Sequence, residues 1–126
     1  MANETDFGRH LMKLATMMTA RLFRNNTGMA WQGKVRKNRD GSITISDPRP
    51  LHAGLIVGGS DLIGWVPVRI TQEMVGDTVA VFTAVEVKKL TKASAEQLKF
   101  IEAVKKAGGR AGIARTDEDL TSILLS

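Results

Sequence analysis

The sequence contains no cysteine. That absence excludes disulfides, zinc–thiolate centres and a cysteine nucleophile. Long apolar runs are missing too. Stretches such as Leu55-Ile56-Val57 are far too short to cross a bilayer, so no membrane partner is expected. The opening residues, Met1-Ala2-Asn3-Glu4-Thr5-Asp6, carry neither the basic nor the apolar segment of a secretory leader, and a cytoplasmic location is expected. No internal repeat and no linker interrupts the chain, and 126 residues suit one domain with one core. With 43% hydrophobic and 25% charged residues, the balance is that of a globular protein rather than a disordered tail.

What is present in excess is positive charge. Eighteen Lys and Arg against thirteen Asp and Glu leave a net +5 and a pI near 9.9, which favours an anionic partner, most commonly nucleic acid. The cations cluster: Arg21, Arg24, Lys34, Arg36, Lys37 and Arg39 flank Trp31, and Lys88, Lys89 and Lys92 form a second group. A solvated face gives the same pattern, so the charge alone does not establish binding.

Phe7, Leu11, Leu14 and Met18 follow the spacing of one buried helical stripe, which predicts a first helix capped by Asn3 or Thr5. Its end is expected near Ala20 to Leu22, before the turn-rich Asn25-Asn26-Thr27-Gly28. Residues 29–60 read as the least regular part. Arg39-Asp40-Gly41 is a hairpin tip between Gly33-Lys34-Val35-Arg36 and Ser42-Ile43-Thr44-Ile45, and Asp47-Pro48-Arg49-Pro50 is expected to break any strand. A glycine-rich approach, Gly54 to Gly64, leads to a strand over Leu62 to Ile70, bent or at an edge because of Pro67. After a turn at Gly76-Asp77, Val79 to Lys88 reads as a central strand antiparallel to it. Ser94 and Gln97 form a capping-box pair that starts a helix over Ala95 to Ala107, ended by Gly108-Gly109. Arg110 to Arg115 is a short strand joined by a parallel crossover, and Thr116 caps a last helix, Asp117 to Leu125. The class is mixed α/β.

Along the strand Val79 to Lys88 alternate side chains share a face, so Glu86 and Lys88 point the same way. A solvated strand end produces that pattern as well. Asp61 strengthens it: it opens the preceding strand, and if the two strands pair it converges with Glu86 at one end of a sheet. Two carboxylates meeting there repel unless a cation lies between them. Oxygen donors suit Mg²⁺ or Mn²⁺ rather than zinc. A lysine beside such a cation can hold attacking water and offset charge on a phosphate. Gln97 shares its helical face with Phe100, Ile101 and Val104, and an amide in an apolar stripe needs a partner. Either it completes the cap with Ser94 or it faces the same site as Lys88, and the two roles are compatible.

Five segments together resemble a known family. They are Arg24-Asn25-Asn26-Thr27-Gly28, Gly59-Ser60-Asp61-Leu62-Ile63-Gly64, Ala84-Val85-Glu86-Val87-Lys88, Ser94-Ala95-Glu96-Gln97-Leu98-Lys99-Phe100, and Gly108-Gly109-Arg110-Ala111-Gly112-Ile113-Ala114. In that order they look like the VRR-NUC domains of the PD-(D/E)XK nuclease superfamily, which occur alone in phages and bacteria. The resemblance implies a restriction-endonuclease-like core over residues 1–126, with a mixed central sheet flanked by helices. It implies Asp61 and Glu86 as ligands of Mg²⁺ or Mn²⁺, the Val87 carbonyl as a further ligand and Lys88 as the catalytic lysine; Gln97, placed by its helical face, is the further catalytic candidate. An acidic residue on the first helix usually completes such a site. Glu4 and Asp6 are the candidates, Glu4 being nearer the apolar stripe, although Phe7-Gly8-Arg9 departs from the family's usual context there. The resemblance further implies homodimers that cut branched DNA, such as four-way (Holliday) junctions, in a bacterial or phage-infected cell. Arg24, Asn25, Lys34, Arg36, Lys37, Arg39, Lys89 and Lys92 are the candidate nucleic-acid contacts. From another class, a non-catalytic nucleic-acid-binding module with the same fold is the alternative, though such a module has no need of converging carboxylates. His10 reads as structural, the six methionines as core fillers, and Trp31 as a stacking, core or dimer residue.

Overall fold

The computed structural model describes residues 3–26 and 28–126; Thr27, part of the expected turn after Asn25, lies outside them. The class is mixed α/β. Three helices and three two-stranded sheets form among the described residues, and none of the helices is long and apolar enough to cross a membrane. The chain divides into two compact units, residues 1–63 and 64–126.

In the first unit, helix α1 (Glu4–Met17) begins at Asn3, whose side chain accepts the Asp6 N–H at 2.8 Å. Glu4 and Asp6 sit in the first turn, at the positive end of the helix dipole. The helix stops before the expected Ala20 to Leu22. Thr19 takes a left-handed φ of 66°, and the Ala20 N–H returns to the Ala15 carbonyl at 2.9 Å. Arg21 and Leu22 therefore enter a strand, β1 (Arg21–Arg24), which packs on α1. The expected stripe is not the covered face, since Phe7 is 56% and Met18 66% exposed. Of that stripe Leu11 is half-buried, and it turns inward with Gly8, Met12 and Ala15, Ala15 being the buried residue of the helix. Small residues at Gly8 and Ala15 allow close approach. The Arg24 guanidinium lies 3.6 Å from where a Gly8 Cβ would stand, and its Nη2 donates to the Thr5 carbonyl at 2.9 Å. Met17 and Met29 are exposed along with Met18, so these methionines do not fill a core.

Residues 28–53 form one long antiparallel ribbon, β2 (Gly28–Lys37) with β3 (Ile43–Ala53). Its tip carries the expected Arg39-Asp40-Gly41 turn, closed by the Asn38 N–H to the Ser42 carbonyl at 2.9 Å. Asp47-Pro48-Arg49-Pro50 does not break the strand. The register shifts between Gln32 and Lys34, so that Gly33 faces both Asp47 and Pro48 in a bulge. Asp47 takes φ 51° there. A Cβ on Gly33 would stand 2.5 Å from the Ser46 carbonyl oxygen, so only glycine fits under the bulge. In a two-stranded ribbon each strand has a free edge, which is where proline's missing N–H costs nothing. Cross-strand pairing puts Met29, Trp31, Val35, Ile43 and Ile45 on one face. Lys34, Arg36 and Arg49 lie on the other, and the ribbon is exposed almost throughout.

β1 pairs with β4 (Leu62–Trp65), the strand in which the boundary between the units falls. β4 is shorter than the expected Leu62 to Ile70. Pro67 lies two residues beyond its end, and only a 3-10 turn (Gln72–Met74) forms before the next strand. That strand, β5 (Thr83–Val87), is likewise shorter than Val79 to Lys88. The expected antiparallel pairing of these two strands is replaced: β5 pairs in parallel with β6 (Arg110–Ala114), from Thr83↔Arg110 to Val87↔Ala114.

Helix α2 (Ala95–Lys106) makes the crossover, as the spacing predicts. Its end is a Schellman motif: the Gly109 N–H bonds the Val104 carbonyl and the Gly108 N–H bonds that of Lys105, with Gly108 at φ 100°. Ile101, fully buried Val104 and Ala111 are the core of this unit, with Trp65, Phe82, Phe100 and Ile113 packed around them. The Trp65 ring tilts at 60° to Phe82 with centroids 4.8 Å apart, a favourable edge-on contact. Helix α3 (Asp117–Leu125) starts at Thr116, whose box with Asp119 is complete, and buries Ile123.

Candidate functional site

Glu86 and Val87 are the last two residues of β5, at the carboxyl end of a parallel strand pair. In open α/β sheets that end is where ligands collect. Alternation along β5 puts Glu86 and Lys88 on one face, and their side chains meet: Lys88 Nζ lies 3.7 Å from Glu86 Oε1. Both side chains are largely covered, 20% and 30% exposed respectively. The first turn of α2 faces the same carboxylate. Gln97 Nε2 donates to Glu86 Oε1 at 2.7 Å, a charge-assisted hydrogen bond.

The two readings of Gln97 hold at once, for a local reason. Its Oε1 accepts the Ser94 N–H at 2.8 Å while the Ser94 hydroxyl accepts the Gln97 N–H at 3.1 Å, a complete capping box. With the amide oxygen committed to the cap, the amide nitrogen has to point the other way, toward Glu86. The positive end of the α2 dipole favours the same carboxylate. Both contacts on Glu86 fall on Oε1, so among the described residues Oε2 carries none of them.

Val87 contributes through its backbone. The Arg110 N–H bonds the Phe82 carbonyl and the Lys88 N–H bonds that of Ala114, so the even-numbered residues of this strand face β6. Strand geometry then turns the Val87 carbonyl to the opposite edge. Beyond β5, Arg115 Nη1 donates to the Thr91 carbonyl at 2.9 Å and to that of Lys89 at 3.4 Å. These bonds hold the loop that carries the exposed Lys89 and Lys92.

In the first unit, Asp61 is exposed and immediately precedes β4. Its carbonyl accepts the Asn25 N–H at 2.8 Å. Asn25, expected as a nucleic-acid contact, is instead 7% exposed and bonded within the chain at both ends of its amide. Arg24, expected in the same role, reaches back to Thr5. On α1, Asp6 is ion-paired with Arg9 at 3.3 Å, whereas Glu4 is exposed in the first turn. Arg36, Lys37 and Arg39 are exposed around the hairpin tip, and Lys34 lies 3.9 Å from Asp47 across the bulge.

The structure thus brings Glu86, Lys88 and Gln97 together in one unit and Asn25 and Asp61 in the other. Among the described residues no group of three or more His, Asp or Glu side chains forms. The donor set the chain offers a cation is carboxylate plus main-chain carbonyl, which fits a hard divalent ion. No protein-family model, curated protein or solved structure matches the chain.

Proposed function

We propose that this chain is a Mg²⁺- or Mn²⁺-dependent DNA endonuclease of the PD-(D/E)XK type, acting in the cytoplasm as a homodimer on branched DNA such as four-way junctions. The observation that carries the reading is the Glu86 carboxylate. One oxygen is held by the Gln97 amide and the Lys88 ammonium, and neither of these contacts uses the other oxygen, at a strand end where the Val87 carbonyl faces away from β6. A carboxylate oriented in this way by second groups is what a metal ligand requires.

The proposed ligands are Asp61, Glu86 and the Val87 carbonyl, with Glu4 as a further candidate. A bound divalent ion supplies Lewis acidity and lowers the cost of forming hydroxide for phosphodiester hydrolysis. Lys88 keeps a positive charge on the face where Glu86 lies, suited to orienting water and offsetting charge on a phosphate. Gln97 holds Glu86 in one rotamer. The exposed Lys34, Arg36, Lys37 and Arg39 of the ribbon, with Lys89 and Lys92, supply phosphate contacts. Symmetric resolution of a four-way junction takes two cuts, and a two-fold dimer carries two sites.

The test is cleavage of linear, flapped and four-way DNA with Mg²⁺, Mn²⁺ or EDTA, alongside Asp61→Ala, Glu86→Ala and Lys88→Ala. Cutting is expected with either metal, preferentially on branched DNA, and is lost in EDTA and in each variant. Full activity in EDTA, or near wild-type cutting by any of the three variants, refutes the assignment.

A further inference from the structure

Asn25 is the buried polar side chain among the described residues. It stands one residue beyond β1, and both ends of its side-chain amide, together with its backbone N–H, turn to a single segment of chain, residues 55–61. Its Nδ2 donates to the Ser60 carbonyl at 3.0 Å, its Oδ1 accepts the Leu55 N–H at 3.0 Å, and its own N–H donates to the Asp61 carbonyl at 2.8 Å. The orientation of the amide is fixed by chemistry, since a carbonyl requires the NH₂ end and an N–H the oxygen.

The segment it holds has no apolar anchor. Leu55 is 63% exposed, Ile56 72% and Val57 100%. Gly58 takes φ 84° and the Gly59 N–H bonds the Ile56 carbonyl at 3.0 Å, which folds the segment back on itself. Gly59 then presses against the amide, for a Cβ there would stand 3.2 Å from Asn25 Nδ2. Both ends of the segment are thus pinned by one side chain, and the far end delivers Asp61 to the start of β4.

From this we infer that Asn25 is a positioning residue for the Asp61 carboxylate and makes no contact with DNA. The inference rests on the proposed role of Asp61 as a metal ligand. It differs from the expectation that the Arg24-Asn25 pair touches nucleic acid, because the side chain is covered and both ends of its amide are already bonded within the chain.

The experiment uses the full chain with Asn25→Ala, Asn25→Asp and Asp61→Ala. Asn25→Asp keeps the acceptor for the Leu55 N–H and sets a carboxylate oxygen against the Ser60 carbonyl, so it breaks one bond rather than two. Three quantities are measured: Mn²⁺ affinity by calorimetry without DNA, affinity for a synthetic four-way junction in EDTA, and the metal concentration giving half-maximal cleavage. Loss of such a support weakens metal binding by about 10- to 100-fold. Asn25→Ala and Asn25→Asp are both expected in that range by calorimetry and by the activity midpoint. Junction affinity in EDTA is expected to stay within about twofold, and faster amide exchange at Leu55 and Gly59 reports release of the segment. If Asn25→Ala does not fold, Asn25→Asp alone decides. Wild-type Mn²⁺ affinity in a folded variant, or weakened junction binding with unchanged metal dependence, overturns the inference. Retained cleavage by Asp61→Ala overturns instead the reading on which it rests.

Discussion

Replacing Gln97 with glutamate separates its two duties. A carboxylate at this position still accepts the Ser94 N–H, as glutamate does at the third position of many capping boxes. What it removes is the donor 2.7 Å from Glu86 Oε1, setting an oxygen of like charge in its place. Two unit charges about 4 Å apart repel by roughly 4 kcal/mol at an effective dielectric constant of about 20. Lys88, 3.7 Å from the same oxygen, and the partial exposure of Glu86 reduce that, and a net cost of about 2–3 kcal/mol at pH 8 is expected. The introduced carboxyl escapes the repulsion by keeping a proton above the ordinary carboxylate range. A carboxyl whose folded-state affinity for protons is raised stabilises the fold at low pH, and that stability is lost as pH rises through the folded value. Gln97→Glu should therefore melt near wild type at pH 4 and about 10 °C lower at pH 8, at roughly 4 °C per kcal/mol. Gln97→Ala loses one arm of the cap and one charge-assisted bond, about 1–2 kcal/mol at pH 8, and introduces no new charge. Calorimetric melting of the three proteins at both pH values decides. Equal destabilisation of Gln97→Glu at pH 4 and pH 8 refutes the geometry assigned to Glu86. Addition of Mg²⁺ at pH 8 should restore part of the loss, because a cation neutralises the added charge.

Three other perturbations follow from the structure. At Gly109→Ala the new methyl would stand 2.7 Å from Val104 Cγ1 and 2.8 Å from the Phe82 carbonyl oxygen. Overpacking of that kind costs about 1–3 kcal/mol, and a denaturant midpoint equal to wild type would contradict the packing of α2 on β5. At the ribbon tip the Asp40 carboxylate accepts from the Ser42 hydroxyl and backbone N–H, which holds its pKa below the usual carboxylate value. An NMR titration should give a midpoint below 3.8, with the Ser42 amide shift moving in step; the tip bonds persist above that range and are lost as pH falls through it. Each of Lys34→Ala, Arg36→Ala and Lys37→Ala should weaken junction binding and lower the salt dependence by about 0.9 in the log–log slope. An unchanged slope in all three would remove the ribbon from the DNA interface.

From Ser94 onward the second unit was readable because its signals there are local. Ser94 with Gln97, Thr116, and Gly108-Gly109 specify helix ends through residues at or within a turn of them, and α2 and α3 begin where Ser94 and Thr116 place them. α1 shows the limit of the same method. Its apolar stripe marks residues that gain from cover, whereas the face covered in its own unit is the one whose small residues let β1 and Arg24 approach. β3 shows another limit, because Pro48 and Pro50 deny a strand two N–H donors without saying whether a partner needed them. In a bulged two-stranded ribbon no partner does.

Glu86 and Lys88 were legible from alternation alone, since two residues apart on any strand means one face. Their link to Gln97 was only half legible: an amide in an apolar stripe announces a need for a partner, but which partner depends on where the crossover sets α2 down. Asn25 carried a weaker signal still. An asparagine after a short strand reads equally well as a turn former, a DNA contact or a buried clamp. What separates these is whether its amide is covered, a property of residues 55–61 folding back on it that no spacing along the chain records. The residues whose roles were missed or divided are thus the ones whose hydrogen-bond partners are distant in sequence. Bonds of that kind, from Asn25 to Leu55, Ser60 and Asp61, hold a segment whose own apolar side chains Leu55, Ile56 and Val57 are left exposed.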